Sequence, residues 1–197
     1  MATEMTTGTR LTTEAPLEAG AKSEWRIDAA HSLVQFAVKH MMFTTVRGRF
    51  TDVQGLIHCP DEADPSRASV EATIAAASID TGDANRDAHL RSEDFLDVER
   101  YPTITFRSTR VERMTEDQLQ ITGDLTIRGV SREVMLDTTY NGRGTNPWGV
   151  EVVGFTAQTQ INRKDFGLTW NAALESGGFL VGDKLDGLVE VQAVKQE

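Results

Sequence analysis

The sequence lacks the features that mark disulfide-rich, secreted and membrane-spanning proteins. Its 197 residues include a single cysteine, Cys59, so no disulfide can form within the chain. No apolar run approaches the roughly 20 residues that a transmembrane helix requires. At the amino terminus no basic segment precedes an apolar one, as a secretory signal peptide would require. These absences predict a cytoplasmic protein without a membrane span.

Positive charge is also scarce. Lysine and arginine together number 20 against 30 aspartates and glutamates, which gives a formal net charge of −10. A surface of this sign repels the phosphate backbone of nucleic acids. We therefore predict no nucleic-acid partner.

The residue patterns of metal sites and hydrolases are missing as well. The four histidines have no His-x-His or His-x-x-x-His spacing, and lie at His31, His40, His58 and His89. A metal centre needs three or four convergent ligands, so we predict none. Asp28, His31 and Ser32 are residue types of a hydrolytic triad, but neighbours on a strand face opposite ways, which separates His31 from Ser32. No Gly-x-Ser-x-Gly elbow is present, and we predict no catalytic residues.

What the sequence does contain, beyond residue 24, is an alternation of apolar and polar residues typical of half-buried β-strands. In the segment 32–40, Val34, Phe36 and Val38 share one face with His40. About eight such runs follow one another, with turn residues between them: 32–40, 46–58, 67–79, 103–111, 117–127, 132–140, 151–161 and 187–195. Hairpin-connected strands with one buried face form an antiparallel sheet, which either closes as a barrel or stacks as a sandwich.

Small residues at inward positions favour a barrel that holds a ligand. Ala68, Ala72 and Ala76 share one strand face, and Gly123 and Gly154 lie within other strands. Small inward side chains leave volume unfilled, and about eight strands enclose enough space for one small ligand. The alternative is that bulky neighbours occupy this space.

The first 23 residues differ from the rest of the chain. They are rich in Thr, Ala, Glu and Gly and have no apolar period. Such a composition does not support a packed core. We predict a disordered extension over 1–23 and a single barrel domain over 24–197.

One interior segment has a helical pattern. Asp83 is a suitable N-cap, and Arg86, His89 and Leu90 recur at the spacing that places side chains on one helix face. Asp87 and Arg91 have the spacing of an i, i+4 ion pair. The strand signal returns after Tyr101 and Pro102, because a residue before proline favours extended backbone.

Several sequence blocks, taken in order, resemble one known family. WRIDAAHSLVQFAVKH at 25–40 is followed by VRGRF at 46–50, then SIDTG at 78–82, RDAHLRSEDF at 86–95 and YPTITFRS at 101–108. GDLTIRGVSREV at 123–134 and INRKDFGLTWNAALESGGFLVGD at 161–183 complete the series. On these blocks the sequence resembles the YceI-like family from about Trp25 to its carboxyl terminus.

The resemblance implies both a fold and a function. The fold is all-β, an eight-stranded antiparallel lipocalin-like β-barrel with one short helical insertion and an elongated apolar cavity. Family members bind long isoprenoid or other lipid-like chains, and no catalytic activity is generally established for them. We therefore expect non-enzymatic transport, storage or sequestration of a quinone, a fatty acid derivative or a polyprenyl compound, with no cofactor besides that ligand. Some members are dimers, so a homodimer is a further expectation.

Strand parity and the resemblance together predict the residues that contact the ligand. The phenylalanines at apolar strand positions are expected to pack in the core. In a barrel that holds a ligand, the same inward residues line the cavity. Leu90 and Phe95 are expected to turn inward from the helical insertion. The predicted set is Phe36, Val38, His40, Phe50, Ala72, Ile74, Arg86, His89, Leu90, Phe95, Phe106 and Phe155.

The polar members of this set have two interpretations. His40 either bonds a neighbour at the barrel rim or contacts a ligand headgroup. Arg86 and His89 either anchor the helical insertion, since a guanidinium can bond several loop groups at once, or meet an anionic or carbonyl headgroup. An enzyme that acts on a small apolar substrate through these three residues, and a stress-related regulatory scaffold, are the alternatives to lipid binding.

Overall fold

A computed structural model describes residues 22–175 and 177–196. The predicted extension over 1–23 lies outside the described residues except for Lys22 and Ser23. Ser23 is the first residue of a strand, and its side chain is buried. The ordered barrel therefore includes the residue before the boundary expected at position 24.

The described residues form eleven strands and one α-helix, joined by turns and short 3₁₀ segments. The strands are β1 Ser23–Ile27, β2 Leu33–His40, β3 Thr44–Phe50, β4 Val53–Cys59, β5 Ser69–Ala75, β6 Ile79–Asp80, β7 Thr103–Arg113, β8 Gln118–Ile127, β9 Val130–Thr145, β10 Glu151–Asn162 and β11 Val181–Lys195. The helix is α1, Ala84–Arg91.

Eight of the strands close into an antiparallel barrel in the order β1, β4, β5, β7, β8, β9, β10, β11. The ring closes where β11 returns to β1, with Trp25 paired to Lys195 and Ile27 to Ala193. Closure leaves no unpaired edge in this ring, which removes a surface for aggregation. The predicted eight-stranded antiparallel barrel with one helical insertion is confirmed.

The remaining strands extend the wall at one end. The predicted run 46–58 is broken after Phe50 into β3 and β4. At this end β2 pairs with β11, β3 pairs with β2, and the short β6 pairs with β3. Because β6 does not pair with β7, the wall has a gap between these two strands. The gap is covered by α1 and the segment after it, since Leu90 and Leu96 pack in one cluster with Ile79 of β6 and Ile104 of β7.

The two ends of the barrel differ. We call the end that carries the β2–β3 turn, α1 and residues 163–175 and 177–180 the closed end, because its cluster includes the fully buried Phe166. We call the other end, with the 60–68 loop and the β7–β8 and β9–β10 turns, the open end. A smaller cluster of Trp25, Val153 and Ala193 lies there.

Inward and outward positions follow the predicted parity except at Ala76, Gly154 and His40. Because β5 ends at Ala75, Ala76 belongs to a 3₁₀ segment and packs in the buried cluster instead of lining the cavity. Val153 and Ala157 of β10 are buried and face the interior together with Phe155. Gly154 lies between them and pairs with Gly142 on the outside of the barrel. The expectation that Gly154 adds space to the interior is therefore wrong.

Candidate functional site

The barrel encloses an elongated cavity of about 880 Å³. Its walls are the inward side chains of the ring strands together with those of β2 and β3. Arg113 and Glu116 lie at its open end, and Arg163 and Leu168 lie at its closed end. The cavity therefore follows the long axis of the barrel, a shape that suits a chain better than a compact molecule.

The cavity reaches solvent at the open end. Four of its lining residues are exposed, and all four belong to this end: Arg113, Glu116, Asp117 and Asn141. At the closed end, the lining residues Ile79, Phe95, Ile104 and Leu168 are buried. The exposed lining residues therefore place the opening of the cavity at the open end.

Nine of the twelve residues predicted to contact a ligand line this cavity. They are Phe36, Val38, Phe50, Ala72, Ile74, Leu90, Phe95, Phe106 and Phe155. Strand parity located seven of them, because inward positions in a closed barrel face one shared interior. Leu90 and Phe95 reach the cavity from the segment that covers the gap between β6 and β7.

His40, Arg86 and His89 are not among the lining residues of this cavity within the described chain. Arg86 donates from Nε to the hydroxyl of Thr81 at 2.7 Å and from Nη2 to the Thr81 carbonyl at 3.0 Å. His40 ends β2 next to the turn, and its carbonyl accepts a bond from the Thr44 hydroxyl.

His89 belongs to an aromatic cluster on the insertion. Its ring meets those of Trp170 and Phe95 edge-on, with centroids 4.6 and 5.1 Å apart. Its Nε2 lies 2.9 Å from Oδ2 of Asp94. These contacts join α1, the segment after it and the segment that contains Trp170.

Asp87 anchors the insertion from within. Its buried carboxylate accepts bonds from the backbone N–H of Thr81 at 2.9 Å and from the Thr81 hydroxyl at 2.6 Å. The expected ion pair with Arg91 is not formed. Arg91 instead donates to the carbonyls of Ala77 and Ile79, at 2.8 and 2.6 Å. Both side chains therefore bond residues 77–81, the segment before the helix, and helix spacing alone does not reveal these partners.

Arg163 fixes the closed end. Its guanidinium is buried and donates to the backbone carbonyls of Leu168, Trp170, Val181 and Gly182 and to Asp183. These bonds use its five N–H donors. Burial lowers the pKa of the guanidinium below its usual value.

A network of four charged residues lies at the open end. Arg143 contacts the carboxylates of both Glu62 and Glu151, and Lys195 contacts the same two, at 3.1 Å from Glu62 and 2.8 Å from Glu151. Both cations lie over the ring of Trp25. Glu62, Arg143 and Trp25 line the cavity, so its apolar wall ends in a polar group near the mouth.

The charged partners perturb one another's protonation. Burial acts to raise the pKa of Glu62, but bonds from Arg143, Lys195 and Ser23 outweigh it and hold the pKa below the ordinary 4.5. Bonds from Lys195 and Arg143 lower the pKa of Glu151 as well. Sequence analysis did not find this network, because its members come from distant segments and no local spacing links them.

Cys59 also lines the cavity near the open end. It is a free thiol whose Sγ lies 3.3 Å from the carbonyl of Asp61. Burial raises the pKa of the thiol above its ordinary 9.0. A thiol in this state is a weak nucleophile at neutral pH.

Other kinds of site find little support in the described residues. Within 22–175 and 177–196, no group of three or more His, Cys, Asp or Glu side chains is placed to hold a metal ion. The helices in this part of the chain are too short or too polar to cross a membrane.

The closed antiparallel barrel and its elongated apolar cavity define a lipocalin-like β-barrel protein. The YceI-like domain matches residues 25–193. The chain is 37% identical over 177 residues to Protein YceI of Escherichia coli O157:H7, an alignment that covers 89% of this chain and 88% of the relative. The chain belongs to the YceI-like family.

Solved structures share the fold. A mutant of the Campylobacter jejuni YceI protein aligns with a TM-score of 0.70 and 31% identity, over 81% of this chain and 90% of that one. A polyisoprenoid binding domain from Saccharophagus degradans aligns with a TM-score of 0.62 and 12% identity, over 91% of this chain and all (100%) of the domain. At 12% identity, the likeness to the Saccharophagus degradans domain shows a shared fold.

Proposed function

We propose that the protein binds a long apolar isoprenoid or other lipid-like chain in the barrel, without converting it chemically, and thereby transports, stores or sequesters it. The observation that carries this proposal is the continuous apolar cavity of about 880 Å³ along the barrel axis. Family membership agrees with a binding role. The Saccharophagus degradans domain that shares the fold is named for polyisoprenoid binding, and we extend that ligand class to this chain.

Burial supplies most of the affinity in this proposal. Each methylene group moved from water into an apolar environment contributes about 0.8 kcal/mol. We assign the contacts of the bound lipid chain to the lining residues of the predicted set, with Phe106 and Phe155 along the walls. In this proposal, Leu90 and Phe95 contact the end of the lipid chain that lies deepest in the barrel. His40, Arg86 and His89 fall outside this contact set.

The polar group near the mouth gives the ligand an orientation. The carboxylate of Glu62 and the guanidinium of Arg143 border an otherwise apolar wall. A ligand with one polar end keeps that end near these groups and near water, because an unpaired polar group in an apolar site is unfavourable. The proposed ligand therefore enters tail first.

The test begins with the purified full chain. Solvent extraction and mass spectrometry are expected to detect a co-purifying lipid, and protein stripped of lipid is expected to take up a fluorescent prenyl probe. The substitution Ala72→Phe places a ring inside the cavity and should remove most of both signals. The matched control is Thr73→Phe on the same strand, where the side chain is exposed and points outward.

Two results would contradict the proposal. One is the absence of both extracted lipid and probe uptake in folded protein. The other is lipid content that falls equally in Ala72→Phe and Thr73→Phe. Circular dichroism spectra and melting temperatures of the variants separate loss of binding from loss of fold.

A further inference from the structure

The β2–β3 turn carries exposed apolar side chains at the closed end. Met42 is 62% exposed, Phe43 is 72% exposed and the nearby Phe179 is 60% exposed. The turn and the loop that contains Phe179 are joined, because Met41 N–H donates to the carbonyl of Leu180 at 2.8 Å. The side chain of Met42 lies over Gly178, where a Cβ would come within 2.8 Å of its Cε. We call Met42, Phe43 and Phe179 the apolar tip.

The backbone of this turn is strained. Met41 and Met42 have φ values of 50° and 67°, in the left-handed region that side chains other than glycine seldom adopt. The Phe43 N–H donates to the His40 carbonyl at 3.3 Å, which closes a β-turn with Met41 and Met42 at its centre, within the three-residue connection between His40 and Thr44. Asn-Gly forms such a turn without strain. Strained backbone that a fold retains is concentrated at functional positions, and here it presents two large apolar side chains to solvent.

Three cations lie beside the apolar tip on the outer face of the sheet. Lys39 faces outward on β2, Arg47 on β3 and Lys184 on β11, and all three are exposed. Arg47 is paired with Ala37, two residues along β2 from Lys39. We call these three residues the cation row. Throughout the described chain none of the three forms an ion pair, although the sequence carries an excess of ten negative charges.

The nearest carboxylates on β11 have other partners. Asp183 accepts a bond from Lys164 at 2.8 Å, and Asp186 accepts one from Gln160 at 2.8 Å. The Lys164 ammonium also lies 5.9 Å from the ring centre of Phe179, at the edge of the apolar tip. Gln160 is neutral, so Asp186 keeps its charge near the row, whereas Lys164 neutralises Asp183. The Lys39 ammonium donates to the neutral Thr45 hydroxyl at 3.1 Å and so keeps its charge as well.

We propose that the apolar tip and the cation row dock the protein onto an anionic lipid surface. Large apolar side chains insert at the boundary between headgroups and acyl chains, and neighbouring lysines and arginines attract anionic headgroups. A second copy of this chain fits the surface poorly, because a symmetric contact would place like charges together. Docked in this way, the barrel has its open end facing away from the lipid surface. The inference goes beyond the proposed function and does not depend on what the cavity holds.

The test is sedimentation of the full chain with vesicles. Vesicles of equal parts phosphatidylcholine and phosphatidylglycerol should bind the protein, whereas pure phosphatidylcholine should bind it weakly, and added salt should weaken the first interaction. Each cation near such a surface contributes about a fivefold change in affinity, so Lys39→Gln with Lys184→Gln should reduce binding by more than tenfold. Phe43→Ser with Phe179→Ser should reduce it by about tenfold or more.

The open end offers the matched control. Trp148 in the β9–β10 turn is 81% exposed, and Trp148→Ser removes an apolar side chain of similar exposure at the other end of the barrel. Trp148→Ser should leave vesicle binding unchanged.

Several outcomes would overturn the docking proposal. These are no preference for phosphatidylglycerol, an equal loss in Trp148→Ser, or binding that survives both the apolar-tip and the cation-row variants. Self-association of the free chain that Phe43→Ser abolishes, with vesicle binding unchanged, would instead identify a second copy as the partner. Unchanged melting temperatures establish that the variants are folded.

Discussion

The ring of Phe106 lies over Gly123 on the neighbouring strand. A Cβ at position 123 would come within 2.6 Å of Cζ of Phe106 and 2.5 Å of the Arg107 carbonyl. Gly123 is buried, and its missing side chain makes room for an aromatic ring that forms part of the cavity wall. The same relationship recurs where Phe36 covers Gly48.

Gly123→Ala should therefore destabilise the barrel and alter the cavity together. The added methyl group collides with the ring and with backbone, and overpacking of this kind costs about 2 kcal/mol. Thermal melts should show the loss, and uptake of the prenyl probe should fall as Phe106 moves. The control is Gly144→Ala, because a Cβ there meets no heavy atom within 4 Å. Equal stability of the two variants would contradict the predicted collision.

Arg163→Lys should destabilise the closed end despite conserving the charge. A lysine ammonium lacks the planar fork that bonds four carbonyls and Asp183 at once. We expect a loss of about 3 kcal/mol in the free energy of unfolding, measured by denaturant titration. Lys164→Met, which removes an exposed ion pair, should cost less than about 1 kcal/mol. A fully stable Arg163→Lys variant would show that the fork geometry is dispensable.

Glu62→Gln should weaken the protein in a manner that depends on pH. Because the folded state lowers the pKa of Glu62, the carboxylate stabilises the fold above its ordinary pKa of 4.5, and this contribution is lost as the pH falls through the lowered value. At pH 7 we expect the variant to be about 2 kcal/mol less stable, and below pH 4.5 the difference from the unmodified chain should shrink.

Denaturant titrations at several pH values measure this convergence. Glu93→Gln removes a negative charge from an exposed position and serves as the control for net charge. Glu151 remains ionisable in the Glu62→Gln variant, so some sensitivity to acid should persist. A stability difference that stays constant between pH 7 and pH 3 would refute the predicted linkage.

Cys59 should report the occupancy of the cavity. Burial raises the pKa of its thiol, so labelling should be slow at neutral pH and should accelerate as the pH approaches and passes 9.0. Removal of lipid should increase the labelling rate several-fold, because Cys59 lines the cavity near its mouth. Ser69→Cys in a Cys59→Ser background provides an exposed thiol, whose labelling should not respond to lipid. Equal labelling of loaded and stripped protein at Cys59 would contradict this.

Much of the wall could be predicted from the sequence, because each strand alternates between one interior and one exterior. This parity alone assigns Phe36, Ala72 and Phe155 to the lining, and all three line the cavity. It failed for Gly154, where the neighbouring residues rather than the glycine face inward. Strand parity also places His40 on the inward face, but this residue ends β2 beside the turn and does not line the cavity.

The polar elements were harder to predict, because hydrogen bonds join residues that no short spacing connects. Asp83 was recognisable as the N-cap of α1, a local role that its bond from the Arg86 N–H confirms. The partner of Asp87 is Thr81, in the preceding loop rather than in the helix. The bond between Glu62 and Arg143 spans 81 positions and exists only after the barrel has closed.

The pairing of β1 with β11 gives the barrel a late step in its assembly. Trp25 and Lys195 meet from opposite ends of the described chain, so the ring cannot close before nearly the whole sequence has been synthesised. Until then the inward faces of β4, β5 and β7 lie along an open sheet, and contacts of such long sequence separation form slowly. A nascent chain therefore exposes its future cavity-lining surface to its surroundings, and any molecule bound there early would be enclosed as the last strand joins the first.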